Sequence, residues 1–92
     1  KPSGIGSINL NAKIDLFPNP ISNQAILKIE NVEKKLLQYQ IFDISGIVYK
    51  QNFIGNEQFI NERIDFSDLT KGIYFVKIFD NNAQKTIKVI LQ

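Results

Sequence analysis

Four aspartates are the residues of this sequence best suited by type to acid–base chemistry: Asp15, Asp43, Asp65 and Asp68. Glycoside hydrolysis needs two carboxyl groups about 5 to 10 Å apart across a cleft, and these side chains are its candidates. A structural role is the stronger interpretation, because two of these aspartates fall in predicted turns and two in outward strand positions. Histidine and cysteine are absent, so the common serine and cysteine triads are excluded. We therefore expect no enzyme activity.

Metal binding has one candidate segment, Asp80-Asn81-Asn82, which supplies three oxygen-bearing side chains in succession. Oxygen ligands of this kind suit calcium. Asp and Asn also fill tight turns without any ion, because they tolerate positive φ, and we favour a plain turn here. Since the usual zinc and iron ligands are missing, we predict no metal and no cofactor.

Four aromatic residues would form a sugar-stacking platform if several of them pointed outward: Phe42, Tyr49, Phe53 and Phe59. In a domain of 92 residues such rings more often belong to the core. A fibronectin-like or carbohydrate-binding appendage nevertheless stays open as the alternative function.

The charge of the chain singles out no polyanionic partner. Eleven basic and nine acidic residues give a formal charge of +2, and they are spread along the sequence. Arg63 and the scattered lysines form no basic stripe, so we predict no nucleic-acid binding. A sandwich of 92 residues offers no obvious deep pocket, so we predict no small-molecule substrate. No apolar run reaches about 18 residues, and Lys1–Ser7 lacks the apolar region of a signal peptide. We expect the chain to be a piece of a longer protein.

The elements that would position these residues are strands. Residues 1–11 are rich in Gly, Ser and Asn and are predicted to be a flexible linker, with the folded domain over residues 12–92. Seven apolar segments about ten residues apart, each bounded by Gly, Pro, Asn or Asp, predict strands at Ala12–Phe17, Ala25–Asn31, Leu36–Ile44, Ile47–Phe53, Phe59–Phe66, Ile73–Phe79 and Ala83–Leu91. The expected fold is an all-β, seven-stranded antiparallel two-sheet β-sandwich of immunoglobulin-like type.

One turn carries the most specific pattern in the chain. Leu69, Gly72 and Tyr74 have the spacing of a tyrosine corner, in which the phenol hydrogen-bonds to backbone a few residues upstream. Glycine permits the sharp turn, and a ring with one polar tip anchors it. We assign these three residues a structural role.

Three motifs occur in order, Leu16–Pro20, Phe42–Gly46 and Leu69–Val76, and a lysine-bearing strand follows them. Over residues 14–92 this combination resembles the type A C-terminal sorting domain of the type IX secretion system. The positions that match the family's motifs are Pro18, Asn19, Pro20, Gly46, Gly72, Ile73, Tyr74, Lys85 and Lys88. The chain departs from the family at its end, where Gln92 stands in a region that often carries a lysine.

The resemblance implies a secretion signal and not a catalyst. Its partners would be an N-terminal cargo domain in the same polypeptide and the secretion machinery: the outer-membrane translocon, a shuttle protein and a sortase-like peptidase that cleaves the domain off. The expected location is the periplasm in transit and then the outer-membrane surface or the medium. If the strand Ala83–Leu91 lies at a sheet edge, it would be able to dock on a partner by strand addition.

Overall fold

The alternation of apolar and polar residues produces eight strands in the computed structural model, which describes residues 8–92. They are β1 (Ile8–Asn9), β2 (Ala12–Phe17), β3 (Gln24–Asn31), β4 (Leu37–Asp43), β5 (Val48–Gly55), β6 (Phe59–Asp65), β7 (Gly72–Phe79) and β8 (Ala83–Leu91). The strand β5 continues two residues past the predicted end at Phe53, because Gly55 still pairs with Leu37 beyond a shift in register. Within residues 8–92 no helix is long and apolar enough to cross a membrane.

The strands form two sheets. The large sheet has the order β1-β8-β7-β4-β5, and the small sheet has the order β2-β3-β6. Every pairing between these strands is antiparallel except that of β1 with β8, and an isolated parallel bridge joins Ile21 to Leu91. Seven antiparallel strands in two facing sheets are the predicted immunoglobulin-like β-sandwich, so the fold prediction is confirmed.

The core lies between the inner faces of the two sheets. On β3 the residues Ala25, Leu27 and Ile29 are buried, and on β4 the residues Leu37, Tyr39 and Ile41, as the period-two pattern predicts. The strand β7 is flanked on both sides, by β8 and β4, as expected from its two apolar faces. The remaining buried apolar residues are Leu10, Ile21, Ile60, Ile64, Phe66, Tyr74, Val76, Ile78, Val89 and Leu91.

The beginning of the described chain is part of the sandwich. Ile8 and Asn9 pair with Ala83 and Gln84, and Leu10 is buried. Strand pairing is therefore present from Ile8 on, and the boundary between linker and domain at Ala12 stays a prediction. The remainder of the predicted linker, residues 1–7, lies outside the described residues, and its flexibility stays a prediction.

Candidate functional site

The loop Pro18-Asn19-Pro20 lies against the outer edge of β8. The Asn19 side-chain amide donates to the carbonyl of Lys88 at 3.1 Å, and its oxygen accepts from the N–H of Ile90, also at 3.1 Å. One side-chain amide thus supplies both hydrogen bonds that a residue of a neighbouring strand would supply. Both peptide bonds that precede the prolines are cis.

The next residue, Ile21, continues this contact with its backbone. Its N–H donates to the carbonyl of Ile90 at 2.7 Å, and its carbonyl accepts from the N–H of Gln92 at 2.8 Å. The Ile21 side chain is fully buried. The loop is therefore anchored in the core at the same point where it covers the end of β8.

The turn before β7 has the geometry of a tyrosine corner. The Tyr74 hydroxyl donates to the carbonyl of Thr70 at 2.6 Å, and the ring is buried. Gly72 has a φ of +152°, a region that residues with a Cβ rarely adopt, and Leu69 packs against the core. The corner lies beside the end of β8, because Gly72 and Ile73 pair with Leu91 and Ile90.

The turn from Asp43 to Gly46 joins the same region from the other side of β7. Its backbone closes through a 2.9 Å bond from the Gly46 N–H to the Asp43 carbonyl, and Gly46 has a φ of +91°. The Asp43 carboxylate accepts from the side chains of Ser45 (2.6 Å) and Tyr49 (2.8 Å). These bonds stabilise the charged form and lower the pKa of Asp43 to about 2.

Tyr49 links this turn to the corner. Its ring meets the Tyr74 ring edge to face, with the centroids 5.8 Å apart. Because its hydroxyl donates to Asp43, loss of that proton is disfavoured and the pKa of Tyr49 is raised. Asp43 itself pairs with Tyr74 across the sheet.

The structure therefore brings most of the motif residues to one end of the large sheet. The Pro18-Asn19-Pro20 loop, the end of β8, the start of β7 and the Gly46 turn follow one another as neighbours. We call this region the motif end. Lys88 belongs to it, but Lys85 does not, because Lys85 pairs with Ile78 near the opposite end of β8.

The outer edge of β8 is partly covered. Since Ile90 bonds to the loop, the even-numbered residues of β8 direct their backbone groups away from β7. Gln84 bonds to Leu10 at one end of this edge, and Asn19 covers Lys88 at the other. Among residues 8–92, no backbone group bonds to the outward groups of Thr86 between them. Strand addition along the end of β8 would therefore have to displace Asn19 and Ile21.

The carboxylates have the roles expected of turn and surface residues. Asp65 accepts from the N–H of Ser67 at 2.9 Å, which lowers the pKa of its carboxyl group. A general acid in glycoside hydrolysis needs a raised pKa, so neither Asp43 nor Asp65 suits that role. Asp68 forms an ion pair with Lys50 at 3.1 Å.

In the candidate calcium segment, Asp80 acts as a turn residue. The Asp80 carboxylate caps its own turn by accepting from the N–H groups of Asn82 (2.7 Å) and Ala83 (2.8 Å). Within residues 8–92 no group of three or more acidic, histidine or cysteine side chains is placed to hold a metal. The expectation that the four aromatic residues belong to the core is wrong: Tyr49, Phe53 and Phe59 are exposed, and Phe42 stacks on Phe75. Phe59 is on the small sheet, apart from the other three.

Three residues of the motif end were missed in the sequence: Ile21, Tyr49 and Thr70. Ile21 follows two prolines and a loop, so no alternating pattern marks it as buried. Thr70 acts through its carbonyl, which any residue would provide. Tyr49 was considered only as a ring for stacking, although its distance of six residues from Asp43 fits a side-chain contact across the hairpin.

Two comparisons with known proteins found a match. The model of a family described as "Secretion system C-terminal sorting domain" matches residues 15–92. Among solved structures, the chain is similar to the CARDB domain of the PF1109 protein in complex with di-metal ions from Pyrococcus furiosus, with a TM-score of 0.53 and 10% identity over 100% of this chain and 99% of that one. This likeness concerns the fold alone. A search of curated protein sequences found no match.

The family match confirms the function expected from the three motifs, a sorting signal of the type IX secretion system, and does not favour the carbohydrate-binding alternative. Nearly the whole described chain is matched. The chain belongs to the family of secretion system C-terminal sorting domains.

Proposed function

We propose that this domain acts as a folded recognition module, which the outer-membrane translocon and its shuttle protein bind, and which a sortase-like peptidase then removes from the cargo. On this proposal the domain itself is not a catalyst and binds no cofactor, nucleic acid or small-molecule substrate. It passes through the periplasm and ends at the outer-membrane surface or in the medium with its N-terminal cargo.

The observation that carries the proposal is the convergence of the motif residues on β8. Asn19 and Ile21 lie about 70 residues before Lys88 and Ile90 in the sequence, and the two segments are joined by four hydrogen bonds. Because Gly72 and Ile73 also pair with the end of β8, and Asp43 pairs with Tyr74, the three motifs form one continuous surface at the motif end. A receptor that reads a folded domain needs such a preformed surface.

A reporter fusion tests the proposal. A periplasmic reporter carrying residues 1–92 at its C-terminus is expected to reach the surface or the medium of a host with a type IX system, and to stay periplasmic in the same host without the translocon. An unrelated fibronectin-like sandwich in place of residues 1–92 is the control and is expected to stay periplasmic. Periplasmic retention of the fusion in the intact host, with the domain shown to be folded, would overturn the proposal.

Substitution of Tyr74 tests whether the tyrosine corner only stabilises the fold or is also recognised by the secretion machinery. We expect Tyr74→Phe to lower the free energy of unfolding by about 1 kcal/mol, because the hydrogen bond to the Thr70 carbonyl is lost. For a domain of this size, that corresponds to a fall in melting temperature of about 4–8 °C. Export of the folded protein is expected to stay unchanged, as measured with the reporter.

Tyr49→Phe is the matched control, because it removes the same atom from an exposed tyrosine whose partner, Asp43, keeps its bonds to Ser45. We expect a smaller loss of stability. If Tyr74→Phe abolished export while its melting temperature stayed that of the wild type, the corner would be part of the signal and our assignment of it to architecture would be wrong.

A further inference from the structure

The outer face of the large sheet combines exposed apolar side chains with charges of a single sign. We define this outer face as the side chains of β4, β5, β7 and β8 that point away from the core, for example every second residue of β7 from Ile73 to Phe79. Its register is continuous, since β4 and β8 pair with β7 along its length. No described element covers it, because the small sheet packs on the opposite side.

The end of this face near Gly72 is apolar. Ile73 and Ile90 lie directly opposite each other on β7 and β8 and are 42% and 40% exposed. Beside them Phe42 and Phe75 stack with their centroids 5.5 Å apart, and Val48, opposite Phe42, is exposed. A contiguous cluster of this kind on a sheet surface is typical of a protein interface, in contrast to apolar side chains scattered singly.

The charges of this face have one sign only. Lys77 and Lys88 belong to it, and none of the outward positions of β4, β5, β7 and β8 carries a carboxylate. The outer face of the small sheet is different. There Lys13 lies opposite Glu30, and Asp15 lies opposite Lys28, so each of these four charges has a neighbour of opposite sign. On the small sheet these positive charges face negative ones, whereas Lys77 and Lys88 on the large sheet face none.

Three possible binding partners of this face do not match its charge and apolar surface. Residues 1–7 contain a lysine and no carboxylate, so they do not complement it. A second copy of the chain, placed face to face, would bring lysines against lysines. Anionic membranes attract clusters of about four to eight basic residues, each contributing about 1 kcal/mol, and this face has two. A protein interface, by contrast, has an apolar centre and few charges.

We propose that the outer face of the large sheet docks onto an acidic protein surface, whose apolar centre covers Ile73 and Ile90 and whose carboxylates approach Lys77 and Lys88. The inference rests on the proposed function, because it places this partner in the secretion machinery. It also gives Lys88 a function that its backbone contact with Asn19 does not use.

Charge reversal tests the electrostatic part. We expect Lys77→Glu with Lys88→Glu to reduce the exported fraction of the reporter by about tenfold or more, since like charges across an interface cost several kcal/mol. The melting temperature is expected to stay close to that of the wild type, because both side chains lie on the solvent side of the sheet. The control, Lys34→Glu with Lys35→Glu, makes the same change of charge in the exposed turn after β3 and is expected to leave export intact.

Removal of apolar surface tests the hydrophobic part of the proposed interface. Ile73→Thr with Ile90→Thr keeps the β-branched shape that suits a strand and removes apolar surface. We expect reduced export of a domain that is still folded by circular dichroism. Export of both outer-face variants at the wild-type level would overturn the docking proposal while the proposed function stood. If the wild-type fusion itself were not exported, the proposed function would fail first.

Two binding measurements decide between occupants. Sedimentation is expected to show a monomer; a dimer that the Ile73→Thr and Ile90→Thr changes abolish would overturn the proposal in favour of a second copy. Flotation with phosphatidylglycerol vesicles is expected to show no binding that depends on Lys77 and Lys88. Binding that the charge reversal abolishes would overturn it in favour of a lipid surface.

Discussion

Deletion of residues 86–92 is expected to unfold the whole domain. These residues supply Val89 and Leu91 to the core, and each buried side chain of this kind contributes about 1.5–3 kcal/mol. The deletion also removes the backbone partners of β7 from Gly72 to Lys77 and those of Ile21. Because small domains are stable by only about 5–15 kcal/mol, the sum is a large share of the total. Circular dichroism and thermal melting of the truncated chain measure it.

The deletion of Gln92 alone is the control. It removes one hydrogen bond to Ile21 and an exposed side chain, so we expect a loss of about 1 kcal/mol and an intact fold. A chain lacking residues 86–92 that still melted cooperatively at the wild-type temperature would contradict the expectation. If the truncated domain does unfold, its failure to be exported says nothing about recognition, and substitutions on the outer face are the informative experiments.

The sandwich was predictable because each strand is indicated by the pattern of residues within its own short segment. The residues that turn inward on β3 and β4 alternate with polar ones except at Ile26 and Phe42, and turn residues mark nearly every connection. The corner was predictable for the same reason, since Leu69, Gly72 and Tyr74 are within six residues of one another.

The candidate site was less predictable, because its contacts join distant segments. Asn19 and Lys88 are 69 residues apart, and nothing in Pro18-Asn19-Pro20 indicates which strand its amide will meet. The pairing of Ile8 and Asn9 with β8 was missed for a related reason: a composition rich in Gly, Ser and Asn indicates flexibility unless a partner edge is known. Periodicity specifies which face of a strand is buried, and long-range pairing specifies which edges are covered.

Ile21→Ala is expected to cost about 2–5 kcal/mol of unfolding free energy, the usual range for an isoleucine truncated in a packed core. The side chain is fully buried, and the backbone bonds to Ile90 and Gln92 hold the chain in place, so the cavity has little freedom to collapse. Ile21→Val is expected to cost only about 0.5–1.5 kcal/mol. Ile47→Ala, at an exposed isoleucine, is the control and should change little. Chemical denaturation of the four proteins measures these differences.

The same series shows what the Pro18-Asn19-Pro20 motif is for. The buried Ile21 side chain holds the loop against the core, and Asn19 bonds to the edge of β8. Truncation of Ile21 is therefore expected to weaken the hydrogen bonds of Asn19 as well. If the motif is architecture, export of Ile21→Ala should follow the folded fraction and recover at a lower temperature. If a receptor reads the loop itself, export should fall further than the folded fraction does, and Asn19→Ala should reproduce that fall with a smaller loss of stability. We expect the first result, because both hydrogen bonds of the Asn19 side chain are already used within the domain.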